Sequence, residues 1–204
     1  MARRRLWILR HAKTEDARPG HSDIDRRLTP EGEAQARFVG NALRAAHGPI
    51  DTILCSTALR ARQTFDLLGV SPASSDFAER YYQAGTDTWI EAVRDLPDEV
   101  GTALLVGHAP ALPGLVYELA DHETSDRDAL AVIDGRFPAA GLARLEFDGS
   151  WADLDSAALV DVTLPASGRP LRPRRTFTLS KAHVHVSSCH SAPAAEPVAK
   201  WRKL

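Results

Sequence analysis

Three short, continuous apolar runs punctuate the chain: Leu6-Trp7-Ile8-Leu9, Thr52-Ile53-Leu54-Cys55 and Thr102-Ala103-Leu104-Leu105-Val106. Runs of this length without polar alternation predict strands buried on both faces. Helical patterns separate them. Thr29-Pro30-Glu31 is a helix start, with a hydroxyl N-cap, proline at the first helical position and acids in the first turn. Ala34, Phe38, Leu43 and Ala46 continue this helix and His47-Gly48-Pro49 ends it. Further helices are predicted from about Ala58 to Leu68, closed by Gly69, from Thr88 to Leu96, and from Leu112 to Ala120. Gly141 to Phe147 alternates as a half-exposed strand does, and a last apolar segment spans Ala158 to Leu164. The stretch from Phe77 to Tyr82 fits strand or helix. Alternating elements of this kind predict an α/β fold, a three-layer α/β/α arrangement with a mainly parallel central sheet.

Composition refines the picture in two respects. The 204 residues carry a net charge of −2, but residues 1–165 hold −9 and residues 166–204 hold +7. The expected organisation is therefore an acidic domain, 1–165, and a basic, Pro-, Ser- and His-containing tail, 166–204, flexible or loosely docked. An acidic body lacks the basic surface that phosphate backbones require, which argues against nucleic acid as a partner. No apolar run approaches the roughly 20 residues of a membrane span. The apolar run after Met1-Ala2-Arg3-Arg4-Arg5 is too short for a signal peptide. Two cysteines, Cys55 and Cys189, cannot build a disulfide framework, so a reducing cytoplasm is the expected location.

Parallel sheets bind ligands just beyond the carboxyl ends of their strands. Arg10-His11-Ala12-Lys13 follows the first run, Ser56-Thr57-Ala58-Leu59-Arg60-Ala61-Arg62-Gln63-Thr64 the second, and Gly107-His108-Ala109-Pro110 the third clear one. An Arg-His dipeptide alone is expected by chance about once in a chain of this composition. Three strand exits delivering Arg-His, Arg and His to one sheet edge carry far more information.

This ordered set resembles the histidine phosphatase superfamily, also called phosphoglycerate-mutase-like, and within it the SixA-type phosphohistidine phosphatases. Ser56, Arg60, Gln63 and Thr64 fit its Ser-x-x-x-Arg-x-x-Gln-Thr element. Ala12 stands where most members carry Gly, and Ala17 where the mutases carry Asn, which argues against a sugar-phosphate mutase. Asp23 to Thr29, Tyr82-Gln83-Ala84 and Leu105 to Pro110 are similar to the SixA group. The resemblance covers residues 4 to about 165. It implies His11 as a phosphate-accepting nucleophile, Arg10, Arg60 and His108 as phosphate ligands, and no metal or other cofactor. The chemistry agrees: guanidinium forks suit phosphoryl oxygens, and neighbouring arginines favour neutral imidazole at His11. Many relatives carry a Glu that protonates the leaving oxygen. Glu79 stands in about that place, and Asp23 matches a loop carboxylate of the SixA pattern.

Other features are expected to be structural. Trp7, Trp89 and Trp151 read as packing, Cys55 as a buried strand thiol, and Lys13, Arg62 and Arg3-Arg4-Arg5 as solvated charges. His183-x-His185 with Cys189-His190 matches no standard zinc spacing. The leading expectation is a metal-independent phosphatase acting on phosphohistidine in a protein. Its alternatives are a phosphatase of a small phosphoester such as a sugar phosphate or nucleotide, and a low-turnover phosphate-binding regulator. Oligomeric state is left open.

Overall fold

The computed structural model describes residues 3–46, 49–135 and 137–165. The tail, with His183, His185, Cys189 and His190, lies outside them. Six strands form one sheet: β1 (Arg3–Arg10), β2 (Thr52–Ser56), β3 (Ser74–Ala78), β4 (Thr102–Gly107), β5 (Leu142–Asp148) and β6 (Ala158–Thr163), in the order β3-β2-β4-β1-β5-β6. Pairings among β3, β2, β4 and β1 are parallel, while β5 is antiparallel to both β1 and β6. Among the described residues, five α-helices cover it: α1 (Pro30–Ala46), α2 (Leu59–Leu68), α3 (Thr86–Arg94), α4 (Ala111–Leu119) and α5 (Arg127–Gly135).

The uninterrupted apolar runs are explained by burial on both faces. Along β1, Trp7 and Leu9 point into a core with Val39 and Leu43 of α1 and Leu68 of α2. Leu6 and Ile8 point to the other side, among Trp89 of α3, Leu112 and Leu115 of α4 and Leu130 of α5. The expected three-layer α/β/α arrangement is the one observed. Trp7, Trp89 and Trp151 are packing residues, each at most 2% exposed, and the Cys55 thiol is fully buried.

Several local expectations are corrected. The buried stripe of α1 is Gly32, Ala36, Val39, Gly40 and Leu43, with Ala34 exposed, because the two glycines let the helix approach neighbouring backbone. A Cβ at Gly32 would lie 2.0 Å from the Lys13 carbonyl oxygen, so α1 presses directly on the segment that follows His11. Phe77 to Tyr82 divides into the end of β3 and a 3₁₀ turn at Glu79–Tyr81. Helix α5 had no counterpart in the sequence reading; the Asp126 carboxylate starts it by accepting the amides of Asp128 and Ala129. Arg4 is not a solvated charge. Its side chain is buried, lies over Trp151, and donates to the carbonyls of Asp98, Val100 and Gly149 and to the Asp98 carboxylate. Arg3 and Arg5, which point to the opposite face, flank Glu146 instead.

Candidate active site

The strand order makes β2, β4 and β1 neighbours, so their carboxyl ends lie side by side. Val106 is in register with Leu9 on one side and Cys55 on the other. The next residues along these strands are the ones the sequence singled out. The His11 amide donates to the Gly107 carbonyl at 2.9 Å, tying the exits of β1 and β4 together. The Ala140 amide approaches the carbonyls of Arg10 and His11, both at 3.1 Å. Ala140 has φ 56°, a left-handed backbone unusual for a residue with a Cβ. On that same β5-facing side the Arg10 guanidinium donates to the Phe137 carbonyl.

Among the described residues, one side-chain hydrogen bond orients the His11 ring. Its Nδ1 lies 2.8 Å from the Ala12 carbonyl. A carbonyl only accepts, so Nδ1 carries the proton and Nε2 keeps its lone pair. The His108 ring lies 5.1 Å away, centroid to centroid. Its Nε2 is 2.8 Å from the Ser56 hydroxyl, whose oxygen also accepts the Ala58 amide. The other ring nitrogen of His108, Nδ1, is buried without a partner among the described residues.

The second sequence element has a physical reading at every position. Ser56 sits against His108. Arg60, on the first turn of α2, has a side chain only 7% exposed. Gln63 accepts the Leu28 amide through its side-chain carbonyl, and the Thr64 hydroxyl accepts the Ala12 amide while donating to the Arg60 carbonyl. Gln63 and Thr64 therefore pin both ends of the segment between β1 and α1.

That segment carries Asp23, and here the structure adds residues that sequence reasoning left without a role. Arg60 donates through one Nη to the Asp23 carbonyl at 2.6 Å and through the other to Oδ2 at 2.9 Å. The Tyr82 hydroxyl donates to the same Oδ2 at 2.8 Å, and Arg26 to Oδ1 at 2.9 Å. The Tyr82 ring meets His108 edge-on and lies under the Arg60 guanidinium. A cavity of about 460 Å³, lined by Glu15, Asp16, Arg18, His21, Arg26 and Leu59 among others, opens next to this cluster. Tyr82 and Arg26 lay within stretches similar to the SixA group, and only Arg26, three residues from Asp23, carried a local signal.

Electrostatics sort these groups into clear states. Burial, reinforced by Arg60 and Arg10, lowers the His11 pKa to about 4. Burial, then the neighbouring His11 and Arg60, lower that of His108 to about 3. Both imidazoles are thus neutral at pH 7. The Arg26 hydrogen bond, together with Tyr82 and Arg60, holds Asp23 down to about 2, which fixes it as a carboxylate. Burial pushes the Cys55 thiol up, so it is no nucleophile.

The expected residues thus fall into two groups. His11 and His108 are adjacent, Arg60 lies between Asp23 and Tyr82, and both arginines act electrostatically on both histidines. Asp23 belongs to this cluster but is ionised. Glu79 is exposed, and its carboxylate makes no hydrogen bond or ion pair among the described residues; Tyr82, three residues on, is the one that reaches the cluster.

Comparison with known proteins bears on the family and the fold. The profile of the histidine phosphatase superfamily (branch 1) matches residues 6–102. An uncharacterized protein of Mycobacterium tuberculosis is 41% identical over 160 residues, 77% of this chain and 99% of that one. The phosphohistidine phosphatase SixA of Escherichia coli is 31% identical over 124 residues, 58% of this chain and 76% of that one. A solved structure from Nakamurella multipartitia, assigned to SixA, superposes with a TM-score of 0.71 at 33% identity, covering 82% of this chain and 99% of that one. An α/β sheet whose adjacent strands present Arg-His, Arg and His at one edge, matched in sequence and in fold, leads to one conclusion: the chain belongs to the histidine phosphatase superfamily and is a phosphatase.

Proposed function

We propose that this phosphatase works without a metal, through a phosphohistidine on His11, and that its substrate is a phosphohistidine in a protein. The observation that carries the reading is the His11 ring: Nδ1–H tied to the Ala12 carbonyl, Nε2 unprotonated, beside His108 in a cluster that Arg60 and Arg10 make positive. The Nε2 lone pair attacks phosphorus, and the bond to the leaving group breaks with its electron pair going to that group. His11 then carries phosphorus on Nε2 and a proton on Nδ1. When water attacks in the second step, Nε2 takes back its electron pair and the ring leaves as neutral imidazole. The Nδ1–H···O=C contact stabilises that protonation state throughout.

Phosphoryl transfer otherwise needs positive charge and donors around the equatorial oxygens. Arg10 and Arg60 supply the charge. His108 supplies a donor: its ring lies 5.1 Å from that of His11, centroid to centroid, where an imidazole N–H can reach a phosphoryl oxygen on the nucleophile. The substrate assignment rests on the leaving group. Asp23 is ionised and Glu79 is exposed, so neither is placed as a proton donor, and substrates that leave without one are favoured. The SixA relatives support the same class. The cavity beside Asp23, within the usual size range of ligand pockets, offers room for residues flanking the phosphorylated one.

The test is turnover of a phosphohistidine peptide, a phosphoserine peptide and p-nitrophenyl phosphate by the wild type and His11→Ala. Wild type is expected to prefer the phosphohistidine peptide. The variant should melt as the wild type does and lose at least about 10⁴-fold in rate, as expected for a missing covalent nucleophile. EDTA should change nothing. Loss of activity in EDTA restored by a divalent ion would refute the metal-free mechanism, and a preference for phosphoserine would refute the substrate class.

A further inference from the structure

We infer that Asp23 is a specificity-determining residue, whose carboxylate accepts a hydrogen bond from a protonated nitrogen leaving group and so selects P–N over P–O bonds. This rests on the reading of the site given above, and it deepens that reading.

The geometry makes Asp23 an acceptor with capacity to spare. A carboxylate has about four lone-pair positions. Arg60 and Tyr82 fill two on Oδ2, and Arg26 fills one on Oδ1. Among the described residues, one position on Oδ1 remains. The Asp23 side chain is 47% exposed although the Arg60 side chain bonded to it is 7% exposed, so the carboxylate is the outward-facing part of the cluster. A leaving group departs in line with the nucleophile and away from it, and the solvent-exposed Asp23 carboxylate is open to receive it. The groups facing Asp23 are Arg26, Arg60, Tyr82 and, on the other side of the Tyr82 ring, His108. None of them gives a leaving oxygen a spare carboxylic acid proton.

The sign of the effect follows from the chemistry. In a phosphohistidine whose second ring nitrogen is protonated, or in zwitterionic phosphoramidate, the leaving nitrogen base already carries its proton. His11 Nε2 forms the new P–N bond. The old P–N bond breaks with its electron pair passing to the leaving nitrogen, which departs neutral, and no proton moves. The N–H donates to Asp23 before and after. In a phosphoester the electron pair ends on oxygen, which leaves anionic unless protonated. An ionised Asp23 cannot protonate it and repels its developing charge. One carboxylate thus helps the first class and hinders the second.

The experiment compares kcat/KM on phosphoramidate, a phosphohistidine peptide and p-nitrophenyl phosphate for the wild type, Asp23→Asn and Asp23→Glu. Asp23→Asn should lower the ratio of phosphoramidate to p-nitrophenyl phosphate turnover by roughly ten-fold or more, the scale of one charge-assisted hydrogen bond. Asp23→Glu, which keeps the charge, should restore much of that ratio. Should the Asn variant melt below the assay temperature, Asp23→Ser provides the same comparison. Equal losses on both substrates would mean that Asp23 only positions Arg60, and would overturn the inference, as would a wild type inactive on phosphoramidate. A wild type that cleaves phosphoramidate with the predicted Asp23 dependence but ignores the phosphohistidine peptide would overturn the substrate assignment alone.

Discussion

At the scale of single residues, His11 and His108 hold ordinary imidazoles in an unusual state by burial next to cations. The consequence is a proton inventory that can be checked directly. With folded pKa values of about 4 and about 3 against 6.5 for a free imidazole, both rings should still show neutral ¹⁵N shifts at pH 5.5 by NMR. The same shifts bear on stability. Between pH 6.5 and about 4 the unfolded chain binds protons at these positions and the folded chain does not, so stability should fall as pH falls through that window. Asp23 acts in a lower window: its depressed pKa contributes stability above about 3.8 that is lost toward about 2. Thermal melting of wild type and His11→Gln/His108→Gln between pH 7 and 4.5 tests the first effect. The double variant should show the shallower decline, and parallel curves would remove the histidines from the account.

His11, Arg60 and His108 were legible as candidates because each follows a run whose local pattern needs no tertiary information. Tyr82 was not, since it reaches Asp23 across 59 residues and nothing local announces the contact. Arg4 was misread for the same reason: three of its partners are backbone carbonyls 94 to 145 residues away, and carbonyls leave no trace in a sequence. The role of Asp23 was half legible, as a carboxylate in the right segment whose ionisation depends on Arg26, Tyr82 and Arg60 converging on it.

At the scale of elements, α2 does more than present Arg60. Through Thr64 it holds the Ala12 amide, and Ala12 in turn holds the His11 ring. Thr64→Val keeps the shape but removes an acceptor from a buried N–H and a donor from the Arg60 carbonyl. The expected cost is about 1–3 kcal/mol of stability by denaturant unfolding, the usual penalty for a buried group left unpaired. Because the affected amide adjoins His11, kcat should fall as well, while a surface change on α2 such as Arg62→Lys should alter neither. A Thr64→Val enzyme with wild-type kcat would show that Ala12 is positioned by packing alone. Elements were more legible than their lateral placement: the buried strands were read from their apolar runs, whereas the antiparallel insertion of β5 beside β1 depends on pairing that alternation along one strand does not encode.

At the scale of the whole molecule, the acidic region 1–165 contains every residue of the candidate site, and its two apolar cores close over both faces of one sheet. We propose that this region is the catalytic domain and that the basic residues 166–204 act on partners or on access of large substrates. A chain ending at Pro165 should turn over p-nitrophenyl phosphate within a few-fold of the full chain and melt in one cooperative transition, since about 165 residues suffice for a core of their own. A collapsed transition or a dead enzyme would make the tail part of the domain.

The latches at Gln63 and Thr64 have a consequence for how such enzymes diversify. Both grip main-chain amides, those of Leu28 and Ala12, and neither reads a side chain in the segment it secures. Residues 13–27 can therefore change identity almost wholesale, carrying a different acid, a different acceptor or none, while the ends of the loop stay where α2 puts them. The nucleophile and the α2 backbone that carries Arg60 belong to a fixed chassis; the groups that face the Arg60 guanidinium and the leaving group ride on an exchangeable insert.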